Sequence, residues 1–248
     1  MRIASMFGID LTWLFRGAVI CAALITGCGS IGSSPSPPAP RRGVIGVVSV
    51  LGAELDAVRV SPPTDPVEHY KAQVDAWRVD RLTAGVMVEQ LRVRGHATTQ
   101  LHISLPLDRI YRPSEYTADS GLLNVEALAA VARDARVSTL IVIRRVAPDK
   151  QGPHQQFFQG AYGLYHRELF GIRRSSVYAL IGVDVVDANH ATVVAKHRVA
   201  AWGGWSDQLP AWSPRFADLS LEDRAALRNR IQSHLVGQVK AIASEIQL

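Results

Sequence analysis

Cysteine is nearly absent from the 248-residue chain: only Cys21 and Cys28 occur. That scarcity excludes a disulfide-dense scaffold and a four-cysteine zinc site. An excess of one charge is missing too. Lysine and arginine total 27 against 22 aspartates and glutamates, a formal net charge of +5. The balance gives no argument for nucleic acid, whose binders concentrate basic charge in a patch. No Gly-x-Ser-x-Gly elbow, no Gly-Lys-Ser/Thr after the early glycines, and no His-x-His or His-Glu-x-x-His is present. The usual signatures of serine hydrolases, phosphate loops and zinc peptidases are therefore lacking. No internal repeat is found. What the chain does have is apolar residues, 48% hydrophobic against 20% charged, enough to bury a core.

The N-terminus has a different character. Arg2 and Arg16 precede a short apolar run over residues 17–27. As a helix this run would measure roughly 17 Å at ~1.5 Å per residue, well short of a hydrocarbon core of about 30 Å. Residues 1–27 are thus expected to be a removable signal peptide, with translation starting at Met1 or Met6. Asp10 is unusual in such a segment. Leu24, Ile25, Thr26, Gly27 and Cys28 resemble the lipobox of bacterial lipoprotein precursors. The resemblance implies diacylglyceryl transfer to the Cys28 thiol, cleavage between Gly27 and Cys28, and acylation of the new amine. The bilayer is then the first partner, held through acyl chains on Cys28, and more than one chain gives stable anchoring. Gly29 and Ser30 follow where an aspartate would signal inner-membrane retention, which implies the outer membrane and its periplasmic face. Cys21 departs with the signal, so no internal disulfide or thiol chemistry is expected of the mature domain.

Residues 28–42 carry the lipidated cysteine and a Ser/Pro-rich tether with little to bury. Residues 43–248 are expected to form a single α/β (α+β) domain: one mixed sheet, helices packed on it, and a long C-terminal helix. The β-branched run 43–52 predicts a buried strand, and 54–61 a strand paired with it. Residues 62–66 predict a loop. A helix over 79–93 would place Val79, Leu82, Val86 and either Gln90 or Val93 on one side, ending at Gly95. A strand is expected at 97–105, carrying Leu101 and Ile103. Asn124 is a natural N-cap for a helix over 125–135, with Val125, Leu128 and Ala132 inward, leading into a strand at 138–146. Residues 157–171 form an aromatic, glycine-broken segment that predicts an insert. The stretches 177–186 and 192–200, joined by Asp187, Ala188, Asn189 and His190, predict a hairpin. Ser220 and Asp223 start a helix whose stripe is Leu227, Ile231, Leu235, Val239 (or Gln238), Ile242 and Ile246. The helix-to-strand step at 125–146 and the hairpin near Asp187 resemble small periplasmic modules such as the curli-secretion lipoprotein and the TolB N-terminal domain. That likeness transfers no catalytic residue. The opening Val48-Ser-Val-Leu-Gly52, with Trp77-Arg-Val-Asp80, is similar to a group of proteobacterial proteins and implies no activity.

Candidates for chemistry are sparse. Ser49 could serve as a nucleophile with His96 or His102 as base and Asp108 as orienter. His190 and His197 could face one another across the hairpin, but a third metal ligand does not stand out. Asp184 with Asp187, and Glu54 with Asp56, are the close carboxylate pairs. No catalytic residue, metal or cofactor is assigned. Two aromatic groups remain as a candidate interaction surface for an envelope protein or peptidoglycan: Phe157, Phe158, Tyr162, Tyr165 and Phe170, and then Trp202, Trp205 and Trp212. The alternative is that these rings cover the sheet. Arg109 and Arg112 beside Tyr111 and Tyr116 could bind an anionic polymer. The expected role is a non-enzymatic binding or assembly module of the cell envelope. The rivals are a weak hydrolase using Ser49 or a carboxylate, and a secretion or pore subunit.

Overall fold

The computed structural model describes residues 43–61, 67–103, 106–112, 122–148 and 157–248. Strands β1 (Ile45–Val50), β2 (Glu54–Val60) and β3 (Glu68–Gln73) precede helix α1 (Val79–Val93) and strand β4 (Thr98–Gln100). A short helix α2 (Leu107–Ile110) leads to a two-stranded ribbon, β5 (Tyr111–Arg112) with β6 (Leu122–Leu123). Then come α3 (Val125–Asp134), β7 (Thr139–Arg145), β8 (Tyr162–Leu169), β9 (Ile172–Asp187), β10 (Thr192–Trp202) and α4 (Leu221–Glu245).

Eight strands make one mixed sheet. The 16-residue β9 organises it. Tyr178 pairs with Gly163 of β8 and with Trp202 of β10, so those strands lie on opposite edges of β9. Ile181 pairs with Arg145 of β7 and with Val199 of β10. Strands β7 and β8 therefore run end to end along one edge of β9, and β10 takes the other. The next column repeats the pattern: β1 pairs parallel with β7, and β2 parallel with β8. Strand β4 flanks β1 and β3 flanks β2. The predicted pairing of β1 with β2 is thus corrected. Gly52, at φ +82°, sits in the short break between them, and they continue one line rather than fold back.

Odd-numbered residues of β1, β2, β7 and β9, and even-numbered residues of β8, face one helical layer. Val47, Leu55, Ile141, Ile143, Ile181 and Val183 pack there against α1 and α4. On the opposite face, Val48, Val50, Leu140, Val142 and Val186 meet Leu128 and Ala132 of α3. Further along that face, Val58, Tyr165, Tyr178 and Leu180 gather with Val146 and Phe158. Burial on both faces explains why β1 and most of β9 are apolar without alternation. Strand β10 is covered less and does alternate in exposure.

The α4 stripe is as expected: Leu227, Ile231, Leu235, Val239, Ile242 and Ile246 are all buried. Ser220 caps the helix by accepting from the Asp223 N–H at 3.0 Å. Asn124 caps α3, accepting from the Ala127 N–H. The face of α1 is corrected. Thr83, Ala84, Met87, Val88 and Leu91 point inward with Val79, while Val93 is exposed. Strand β3 and strand β8 were not expected as strands, and β4 is shorter than its sequence pattern. The expected loop 62–66 lies outside the described residues, as do residues 1–42 and Tyr116. Arg94, just past α1, donates to the carbonyls of Ala243 and Ile246 and so closes the far end of α4.

Leu235 is fully buried at the centre of the α4 stripe, so Leu235→Ala is expected to cost about 2–5 kcal/mol. Arg94→Ala, which strands two helix-end carbonyls, is expected to cost about 1–3 kcal/mol. Urea unfolding followed by circular dichroism measures both.

Candidate interaction surface

The aromatic segment beginning at Phe157 is not an insert. It feeds β8, a central strand, and this decides the fate of its rings. Tyr162 and Tyr165 are fully buried and Phe158 nearly so, so these three offer no surface. That is a correction to the expected patch, and its cause is the alternation of β8. Tyr162 turns toward the α1/α4 layer, donating to the Gly52 carbonyl at 3.0 Å, while Tyr165 turns to the opposite face. Burial pushes the Tyr162 phenol up, and nearby Asp80 adds to the rise.

On that opposite face the rings form a continuous ladder. Tyr178 stacks on Phe158 with centroids 3.8 Å apart and planes within 2°. Phe158 meets Tyr165 edge-on at 5.6 Å, and Tyr165 meets Trp205 at 5.9 Å. Trp205 meets Trp202 edge-on at 4.8 Å. Such contacts add about 0.5–1.5 kcal/mol each beyond burial. The inner end is anchored by Asp56. Its Oδ2 accepts from the N–H groups of Gln159 (2.8 Å) and Gly160 (3.2 Å) and from the Tyr178 hydroxyl. Burial holds the Tyr178 phenol far above its ordinary value, and the Asp56 charge raises it further. The outer end is open: Trp202 is 39% exposed and Trp205 half-buried. Phe157 is half-buried beside the cluster. Phe170, at the β8–β9 turn, is 91% exposed.

Trp212 lies elsewhere. Its indole N–H donates to Glu68 at 3.0 Å, and its ring tilts on Tyr70 at 5.2 Å. It lines a cleft of about 210 Å³ with Arg59, His166, Glu168 and Arg173. Here Arg59 bridges Glu68 (3.0 Å) and Glu168 (3.1 Å). His166 Nδ1 lies 3.0 Å from the Ser175 hydroxyl, which donates to the Pro210 carbonyl at 3.3 Å. The pair thereby braces the loop at Pro210. The eight aromatic candidates are therefore split between two sheet faces and one hairpin tip.

The other candidates separate in space. Ser49 Oγ donates to Asp80 Oδ1 at 2.6 Å and receives a hydrogen bond from Thr83 at 2.9 Å. Asp80 also accepts from the N–H groups of Leu51 (2.7 Å) and Gly52 (3.2 Å). Burial raises its pKa, against the lowering effect of these bonds. The serine gives its proton to a carboxylate and not to His96 or His102, and His102 is exposed. This network fastens the end of β1 to the start of α1. Asp184 pairs with Arg144 at 2.9 Å inside the sheet face, whereas Asp187 accepts from Asn189, His190 and the His190 ring in the turn. Glu54 pairs with Lys71 at 2.9 Å, leaving Asp56 to its interior role. His197 faces Glu245 at 3.9 Å, so the hairpin does not bring it to His190. Arg109 is exposed, while Tyr111 donates to the Val50 carbonyl at 2.9 Å, with its phenol pushed up to about 12 by burial. Among the described residues no group of three or more His, Cys, Asp or Glu could hold a metal ion. Among the same residues no helix is long and apolar enough to cross a membrane.

No protein-family model matches the chain, and no curated protein matches its sequence. Solved structures do align with it. A dodecameric PelC from Paraburkholderia phytofirmans is 11% identical, covering 82% of this chain and 91% of its own, with a TM-score of 0.30. A neuraminyllactose-binding hemagglutinin homolog from Helicobacter pylori is 6% identical, covering 84% and 87%, with a TM-score of 0.37. A Xanthomonas campestris protein is 10% identical, covering 83% and 86%, with a TM-score of 0.35. These likenesses fix neither family nor function.

Removing the hub that ties β1 to α1 tests its structural role. Asp80→Ala leaves the Ser49 hydroxyl and two N–H groups without their acceptor and is expected to cost about 2–4 kcal/mol, against about 1 kcal/mol for Ser49→Ala. Burial lowers the pKa of His166, helped by Arg59, and also that of His234. Their folded values lie below the unfolded one, so the stability they protect is complete above about pH 6.5 and is lost as pH falls below it. Urea midpoints from pH 7 to 5 should fall less steeply for the double variant His166→Gln/His234→Gln than for the parent.

Proposed function

We propose that the chain is a lipid-anchored envelope lipoprotein whose domain acts as a non-enzymatic binding or assembly module at the periplasmic face of the outer membrane. The Leu24–Cys28 segment supplies the anchor through acyl chains on Cys28, and residues 29–42 supply the tether. The observation that carries the binding role is the aromatic ladder, which begins at a buried carboxylate and ends on exposed Trp202. A surface tryptophan backed by rigid stacked rings contributes contact area at low entropic cost, the property of an interface anchor. The partner class is an envelope protein or peptidoglycan. The reading as a non-enzyme is supported by the Ser49 hydroxyl bound to Asp80, and by the separation of the paired carboxylates.

Two measurements test this. Mass spectrometry of the mature chain should find residues 1–27 removed and acyl groups on Cys28. In-cell crosslinking with pull-down should then lose its principal product in Trp202→Ala and Trp205→Ala, with the unfolding midpoint changed by no more than about 1–2 kcal/mol. Phe158→Ala is unsuitable as a surface probe, because opening that buried stack costs about 3–5 kcal/mol of fold stability. Identical crosslinked partners in both tryptophan variants would overturn the binding surface.

A further inference from the structure

The β8–β9 hairpin ends in a two-residue turn, Phe170 and Gly171, with φ of +50° and +75°. Two central residues with positive φ favour Asn-Gly or Gly-Gly. Here the first position holds a phenylalanine, in the left-handed region, with 91% of its surface in water. The turn demands no aromatic ring, and the ring covers no core. Backbone strain carrying an exposed apolar side chain is a feature that folding alone does not explain.

The residues behind the tip are layered. On one hairpin face Leu169 pairs with Ile172, then Arg167 with Arg174 one layer back, then Tyr165 with Ser176 beside Trp205. Ile172 is 60% exposed. Phe170, the apolar pair and the two arginines, together with Trp205, line a shallow groove of about 280 Å³, with no carboxylate among its described lining residues. Arg167 Nε is buried without a partner among the described residues. Arg173, whose side chain belongs to the other face, pairs with Glu168 at 3.3 Å, so the acid of this hairpin is engaged away from the groove. At ~3.3 Å per residue the arginine layer stands about 7 Å behind the apolar layer. Interfacial segments bury their apolar face by about 5–10 Å at the headgroup boundary, with cations at the phosphates.

We propose that the Phe170 hairpin tip docks into an anionic phospholipid surface, with Phe170, Leu169 and Ile172 entering the headgroup–acyl boundary and Arg167 and Arg174 meeting lipid phosphates. The inference rests on the lipid-anchor reading in one respect. Residues 28–42 span at most about 50 Å when fully extended, so an acylated Cys28 keeps the domain within reach of the bilayer. The charge and layering of the tip then favour lipid over a protein groove, and the second contact fixes which side of the domain faces the membrane.

The test uses the mature lipidated chain in vesicles of phosphatidylethanolamine with phosphatidylglycerol. Phe170→Cys carries an environment-sensitive fluorophore; acylated Cys28 leaves the new thiol as the one labelled. Asn189→Cys, in the turn at the other end of β9, is the control. The expected result is a blue shift and at least about a twofold rise in emission at position 170 and none at 189. Neutralising Arg167 and Arg174 with glutamine should lower the inserted fraction, by roughly fivefold for each arginine at low salt. Unchanged emission at position 170 in vesicle-anchored protein overturns the proposal. So does an equal shift without vesicles, which assigns the tip to a second copy of the chain. The mass of the Cys28 peptide reports the anchor separately. Missing acyl groups would sink the anchor reading, whereas silence at position 170 with acyl groups present would sink the hairpin.

Discussion

One buried carboxylate sets the geometry of an entire sheet face. Asp56 is fully enclosed, on β2, at the point where β2 begins its parallel pairing with β8. A carboxylate in that setting needs donors. Two backbone N–H groups and the Tyr178 hydroxyl meet its Oδ2, while Oδ1 is buried with no hydrogen-bond partner among the described residues. The demand propagates. Gly160 must be glycine, because a Cβ there would lie 2.6 Å from the Asp56 Cβ. The N–H groups of Gln159 and Gly160 are drawn in, and Phe158 is thereby laid flat on Tyr178. The rings from Phe158 to Trp202 follow from that placement.

The opposite face is held by different means. There Asp80 gathers the end of β1, and α1 and α4 share a wide apolar layer with one side of the sheet. The two faces divide the work. The helical face is closed and structural, with Arg94 locking the end of α4. The other is covered by α3 over one half and by stacked rings over the rest, with tryptophans at its border. Hydrophilic residues that look reactive in the sequence have structural partners instead: Ser49 with Asp80, Asp184 with Arg144, Glu54 with Lys71.

The helices were legible because their signals are local. Asn124 and Ser220 cap what they should, and the α4 stripe recurs at helical spacing over six positions. The apolar strands were legible for the same reason. The partners of β1 and β2 were not, because pairing is a long-range property and nothing near Gly52 distinguishes a hairpin from a continued line. Strand β3, whose sequence EHYKAQ is half polar, hides as a solvated edge. Strand β8 hides because its aromatics and glycines resemble a loop. Its two-residue turn at Phe170 and Gly171 lacks the Asn-Gly signature that would have revealed the hairpin. The α1 face was misjudged because Thr83, Ala84 and Met87 outrank Leu82 and Val86 in burial, a choice made by the neighbouring α4 and not by hydropathy.

The sheet topology also dictates an order of events during synthesis. Neither β1 nor β2 pairs with the other, and their central neighbours, β7 and β8, lie roughly a hundred residues downstream. Those neighbours in turn need β9, which serves both of them along one edge. Strands β2 and β1 can take β3 and β4 early, but their inner edges wait for β8 and β7, and β9, which joins the two halves, is complete only when about three-quarters of the chain has emerged.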